Sequence, residues 1–414
     1  MLRFLESDLA AVLRVPPFRL FALSRIAAGV GQSMLQAIVA WQVYAISGSA
    51  LDLGVVGLVR FVPALSFSLI SGVIVDTYDR RKILLAAQSI PFITSALMVL
   101  AIHSAAVNLW LVYGLVFMAG VASAFEAPAR QTLIPALVPR NLFARAMTLN
   151  STLQSLSAVT GPAVAGALIA WQDVGGAYLV HVVVIALSML VLLPVRVPPS
   201  KTASRAGVNL GAVRDGLIYL RSQPVLLGAM SLDMFAVIFG GAKALLPIYA
   251  VDVLHADAVG YGVLTASLEA GALVAAVLLV ILPMPTHTGR TLLASVAVFG
   301  LATIAFGLST WLPLSVLTYA AVGAADQVSV VMRLNTVQLS IPDELRGRVT
   351  AVHFVFVNAS NQIGGLESGI VAALTNAMFA VVSGGFACIG VVAFIGWRIP
   401  ELRQYKAEPR THLS

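Results

Sequence analysis

The feature that most constrains this chain is a recurrence. A run of roughly 20 residues with almost no charge ends, a short polar stretch follows, and another such run begins. An apolar run of ~18 residues or more can cross the hydrocarbon of a bilayer as a helix. Only 10% of the 414 residues are charged and 59% are hydrophobic, whereas a soluble domain carries about 25% charged residues. Transmembrane strands are shorter and alternate apolar with polar residues, a pattern these runs lack. The reading is an all-α integral membrane protein.

Twelve spans fit the runs, at about 20–46, 53–75, 83–102, 108–127, 147–170, 176–195, 225–250, 260–283, 291–309, 312–332, 350–374 and 377–397. They form two six-helix, pseudo-symmetric bundles, 1–195 and 224–414. A cytoplasmic linker, 196–223, joins them and contains PPSKTASRAG and the weakly amphipathic NLGAVRDGLIYLRSQ. The opening MLRFLESDLAAVLRVPPFRL mixes acids with bases and lacks the apolar core and cleavage site of a signal peptide.

Charge placement supports this map. Of 25 Lys and Arg, only Arg25, Arg60 and Lys243 fall inside spans, and the other 22 lie in the tails and in loops after even-numbered spans. The opposite loops contain none. Cytoplasmic loops collect basic residues, so both termini are expected in the cytoplasm and the chain in the cell membrane. The net charge of +7 is then a topology signal, and no basic face remains for nucleic acid. Cys388 has no partner for an intrachain disulfide. His103, His181, His255, His287 and His353 give no ligand pair by spacing, so no metal is expected. No phosphate-cradling loop precedes a Lys-Ser/Thr. Neither a cofactor nor an enzymatic activity is expected.

The halves also match each other. Shifted by 203 residues, Gly120 meets Gly323, Arg130 meets Arg333, Pro139 meets Pro342, Arg145 meets Arg348, Ser157 meets Ser360, Gly161 meets Gly364 and Gly166 meets Gly369. Apolar residues coincide easily in membrane proteins; three arginines and a loop proline in one register do not. A parallel repeat of six spans suits a transporter whose substrate path lies near the midplane.

Residues 72–82, GVIVDTYDRRK, resemble the loop between spans 2 and 3 of the major facilitator superfamily, and SAVTGPAVAG (157–166) resembles the Gly-Pro motif of its exporters. AWQVYAISGSALDLGVVGL (40–58), APARQTLIPALVP (127–139) and FGGAKALLPIYAVDVL (239–254) are similar to the branch of enterobactin exporters and drug-efflux carriers. The resemblance implies that Gly72, Asp76, Arg80, Arg81 and Arg130 form a gating loop, Asp76 and Arg130 locking the cytoplasmic side. It also implies that Gly161, Pro162 and Gly166 bend and closely pack span 5. Asp79 stands where the superfamily usually has Gly, and the second half has no acid matching Asp76.

Intramembrane polar residues suggest function by their cost. Arg25, Gln32 and Gln36 share a face of span 1, and Asn150 and Gln154 share one of span 5. Both stripes are cavity or substrate candidates, or else hydrogen bonds between helices. A carboxyl in low dielectric can exchange protons near neutral pH, which makes Asp233, Glu269, Asp326 and Glu367 candidates for proton coupling. Asp326 precedes Arg333 by seven residues, so a structural pair is the competing reading. The expected protein is a secondary transporter, exporting lipophilic or amphipathic small molecules of drug or siderophore class in exchange for protons. Its partners are then substrate, protons and membrane lipid, and it works as a monomer. Lipid or lysolipid translocation and solute uptake are alternatives on the same fold. A receptor or scaffold would leave the repeat unexplained.

Overall fold

The computed structural model describes residues 11–196 and 218–406, apart from Arg221, Met284 and Pro342. Most of the expected linker lies outside the described residues. Every expected span falls on helix. Spans 1 to 4 are Pro16–Ser47, Ala50–Thr77, Arg80–His103 and Leu109–Leu137, and spans 5 and 6 share Phe143–Leu192. Span 7 begins as Pro224–Phe239; spans 8 to 12 are Ala258–Ile281, Thr288–Leu308, Leu312–Ser340, Asp343–Leu374 and Ala377–Arg398. Among the described residues nine helices are long and apolar enough to cross a membrane. One of the nine holds both spans 5 and 6, and the more polar helices of spans 1 and 11 are not among them.

Local chemistry sets the helix starts. Proline opens spans 1 and 7, where its missing N–H costs nothing. Asn108 and Asn376 cap spans 4 and 12 through their side chains. The break between spans 5 and 6 is Asp173, whose φ of 72° is the non-helical point in Phe143–Leu192. An L-residue is strained in that conformation, and Asp173 holds it while its Oδ1 accepts from Gly176 N at 3.0 Å at the start of span 6. Asp173 and Asn376 are themselves 203 residues apart, so the repeat extends to the caps.

Two spans run further than their apolar stretches. Span 4 continues to Leu137 and span 10 to Ser340, past the expected ends at 127 and 332. Arg130 and Arg333 therefore sit on helix and not in loops. The apolar pattern stops where ionised residues begin, but those residues find acids within the bundle and the helix does not end.

Span 7 also departs from expectation. After Phe239 it breaks at Gly240-Gly241, continues as a 3₁₀ turn, Ala242–Leu245, and finishes as a π-helix, Tyr249–Val253. A Cβ on Gly241 would lie 2.6 Å from the Gly364 carbonyl, so this crossing with span 11 leaves no room for a side chain.

The chain divides into two compact units. The first is Met1–Gly48, Leu58–Gly207 and Asp257–Ala266; the second is Ser49–Gly57, Val208–Ala256 and Ser267–Ser414. The start of span 8 thus belongs with the first unit and the start of span 2 with the second. In the first, a Cβ on Gly166 would strike the Ala258 carbonyl; in the second, one on Gly369 would come within 2.8 Å of the Ala50 carbonyl. Gly120 crosses the Arg60 carbonyl just as Gly323 crosses that of Leu268. These pairs put span 2 and span 8 at a 208-residue repeat and spans 4 and 5 at 203, and the helix starts Pro16 and Arg80 keep the 208 register with Pro224 and Thr288. The difference is accounted for by span 9, 21 residues against 24 for span 3, and by a turn two residues shorter.

The first unit has a core of Phe18, Phe21, Leu84, Leu133, Ile134 and Leu192. The second buries Leu232, Leu292, Val296, Met332 and Cys388. Large apolar side chains outside, such as Leu100, Leu190, Val280 and Leu317, suit contact with lipid tails.

Candidate functional site

In the second unit Arg333 of span 10 forms an ion pair with Asp233 of span 7, both nearly inaccessible. Asp233 also lines a cavity of about 10 Å³ with Asp326, Ser329, Val237 and Phe299, room for about one water. The sequence allowed an Asp326–Arg333 pair, but Arg333 takes Asp233 instead. Asp326 is two turns from Arg333 along the helix, whereas Asp233 reaches it from the neighbouring span. Lys243, on the 3₁₀ turn of span 7, bonds Glu269 of span 8 at 3.0 Å, and this pair is more open, with side chains 58% and 31% exposed. Asp326 lies within electrostatic reach of Glu269 and Lys243 but forms no ion pair among the described residues. Glu367 stands apart, its carboxylate accepting from Ser368 Oγ at 3.4 Å.

The first unit has a related arrangement with different charges. Arg25 is buried on span 1 and donates from Nε to Asn150 Oδ1 at 3.3 Å and from Nη2 to Gln154 Oε1 at 3.1 Å. The two polar stripes are thus brought together as hydrogen bonds between spans 1 and 5. Gln32 is half-buried and Gln36 exposed, so the stripe on span 1 divides after its first member. Gly29 makes the contact possible: a Cβ there would sit 2.6 Å from Ser157 Oγ and 2.9 Å from Arg25 Nη1. Arg130 pairs with Glu126, one turn away on span 4, and Arg25 lies within electrostatic reach of it.

The sequence reading overlooked Glu126. It sits one residue before the end of the apolar run of span 4, close to charge already assigned to a loop, although its four-residue spacing to Arg130 was visible.

A model of the transmembrane secretion effector family, of major facilitator type, matches residues 7–414. The chain belongs to this family. The transporter is 27% identical over 414 aligned residues to the multidrug efflux pump Tap of Mycobacterium tuberculosis, covering 95% of this chain and 96% of that one. It is 23% identical over 351 residues to macrolide efflux protein A of Streptococcus pyogenes, covering 83% and 86%. Among solved structures it resembles a point mutant of the nucleoside transporter NupG, with a TM-score of 0.72 at 12% identity over 93% and 99% of the chains. A bacterial homologue of the human lysosomal transporter Spinster gives 0.67 at 16% identity over 96% of each. These structures share the transporter fold.

Asp79 caps span 3, accepting from Arg81 N at 2.9 Å and Lys82 N at 3.4 Å, which explains an acid at a position usually glycine. Arg80 donates to the Thr132 carbonyl of span 4 at 3.1 Å. Gly72 meets open space and Arg81 Nε is buried without an acceptor. The side chain of Asp76 lies outside the described set. In span 5 the helix is continuous through Pro162. Gly161 packs against Ser33 and Met34 of span 1, so its role here is close approach, and the interruption comes later, at Asp173.

Proposed function

We propose that this transporter exports lipophilic or amphipathic small molecules of drug class in exchange for protons, with both termini in the cytoplasm. Drug cargo is favoured over siderophores or lipids because Tap and macrolide efflux protein A, which align with most of the chain, carry efflux of that class in their names.

The observation that carries proton coupling is a charge imbalance in the second unit. Among the described residues, Asp233, Asp326 and Glu269 are grouped with two cations, Arg333 and Lys243. One carboxylate is in excess, and one bound proton makes the group neutral. Uncompensated charge is expensive in a bilayer, so protonation and deprotonation change the cost of moving these helices. Asp326 is the best-placed carrier, since Asp233 is held by Arg333 and Glu269 by Lys243. The break in span 7 makes it a discontinuous helix, the kind of element from which transporters build ion sites, and this supports a role for the Lys243 pair.

Everted membrane vesicles supplied externally with a fluorescent cationic dye or a labelled macrolide test this reading. Accumulation should require a proton gradient, collapse on adding an uncoupler, and be lost in Asp326→Asn while the protein remains in the membrane. Accumulation undiminished by the uncoupler removes proton coupling from the proposal. Gradient-driven transport at the wild-type rate in Asp326→Asn removes Asp326.

A further inference from the structure

The first unit contains a polar interior that the charged site does not use. His181 of span 6 and Ser95 of span 3 are both fully inaccessible, and neither ring nitrogen of His181 nor Ser95 Oγ has a hydrogen-bond partner among the described residues. Two contacts fix the register of these antiparallel spans. Ser188 Oγ bonds Gln88 Oε1 at 3.3 Å, and a Cβ on Gly175 would meet Ile102 at 3.4 Å. Counting inward from the first contact places Ser95 level with His181, and from the second within one residue of it. One turn away Tyr178 donates to Gln42 Oε1 at 2.6 Å, and two turns the other way Ser188 bonds Ser24 and Gln88.

The repeat supplies an internal control. Through the registers established above, His181 corresponds to Gly384, Ser188 to Val391, Gln88 to Val296 and Ser24 to Leu232. Val296 and Leu232 belong to the second unit's apolar core, with Val391 packed against it. Ser95 corresponds to Thr303, whose hydroxyl is satisfied by the Phe299 carbonyl of its own helix at 2.8 Å. The same crossing of helices is therefore built dry in one unit, and the fold does not require polar groups there. Leaving three buried polar atoms unbonded costs more than any packing they provide, whereas one internal water can bond about three groups.

We propose that spans 1, 3 and 6 enclose an internal water site, with His181 and Ser95 as its ligands. The bound species is a small neutral molecule that both donates and accepts. It satisfies Ser95 Oγ and the His181 ring, and gives the first unit a hydrated interior that its repeat partner lacks.

X-ray radiolytic footprinting of the full-length protein in nanodiscs tests the site, because hydroxyl radicals formed from bound water oxidise the side chains beside it. His181 should be oxidised at a rate within about threefold of exposed His103, and Ser95→Val should lower its rate several-fold while leaving His103 unchanged. A melting cycle guards against misfolding. Ser95→Val alone should lower the melting temperature, and Ser95→Val with His181→Leu should restore it, since removing every polar partner leaves nothing unsatisfied. An unmodified His181 at doses that oxidise His103, or independent effects of the two substitutions on melting, overturns the proposal.

Discussion

The two units place an arginine at the same repeat position, Arg130 and Arg333, and neutralise it in different ways. In span 4 the preceding residues are Ser123 and Glu126; at the equivalent positions of span 10 they are Asp326 and Ser329. Serine and acid have exchanged places, one helical turn apart. Glu126, four residues from its arginine, pairs within the helix. Asp326, seven residues away, does not, and Arg333 takes Asp233 from span 7. At the position equivalent to Asp233 the first unit has Arg25, which turns to amide oxygens on span 5. A one-turn displacement of a carboxyl thus separates a locally closed pair, with a spare cation beside it, from a pair between spans with a spare acid beside it.

The largest effect is expected from breaking the pair between spans. Asp233→Ala leaves a buried guanidinium uncompensated and should cost about 3–5 kcal/mol, read as a lower melting temperature and loss of protein from the membrane. Adding Arg333→Leu should recover most of it. If the single substitution is harmless, the pair is not what satisfies Arg333.

Glu126→Gln should cost less, ~2 kcal/mol, because the Arg130 side chain remains 15% exposed and keeps an acceptor at the same place. A sharper test moves the acid: Asp326→Ser with Ser329→Glu gives span 10 the pattern of span 4. Arg333 then has a local partner, and Asp233→Asn in that background should cost about 1 kcal/mol or less by the coupling between neighbouring sites. An undiminished cost means that acid position does not choose the partner. With Asp233→Asn added to the exchange, transport should lose its dependence on the proton gradient, since two acids then face two cations.

The smallest contrast lies at the starts of spans 3 and 9. Asp79 caps the first through its side chain, while His287 makes no such bond at the second. An N-cap of this kind is worth about 1 kcal/mol, so Asp79→Ala should lower the melting temperature slightly and His287→Ala should not. Equal shifts would mean that the Asp79 bonds contribute nothing.

Much of this was legible because membrane burial writes itself into long stretches of sequence. The spans, the repeat over spans 4 and 5, the cost of Arg25 and the acids Asp233 and Asp326 could all be read directly. Pairing could not. Spacing along one helix suggested Asp326 for Arg333, but the partner that won comes from another span, and only the packing of spans 7 and 10 decides between them. The 208-residue register was hidden by the shorter span 9, which shifts one set of matches out of phase with the other. Glu126 was lost because hydropathy ends a span where charge begins, although a helix with paired charges continues. Gln36 shows the converse: periodicity put it on the stripe, and its exposure removes it from the buried bonds of Arg25.

The length difference between the halves also has a practical use. Part of it falls at the turn 104–108, where Ala105 has a φ of 53° and the corresponding turn of the other half is two residues shorter. A site that varies in length between two copies of one fold is a natural insertion point. A short epitope placed after Ala105 should leave the bundle intact and be stained by antibody on unpermeabilised cells. The same tag at the C-terminus should stain after permeabilisation alone, giving the protein's sidedness a direct optical measurement.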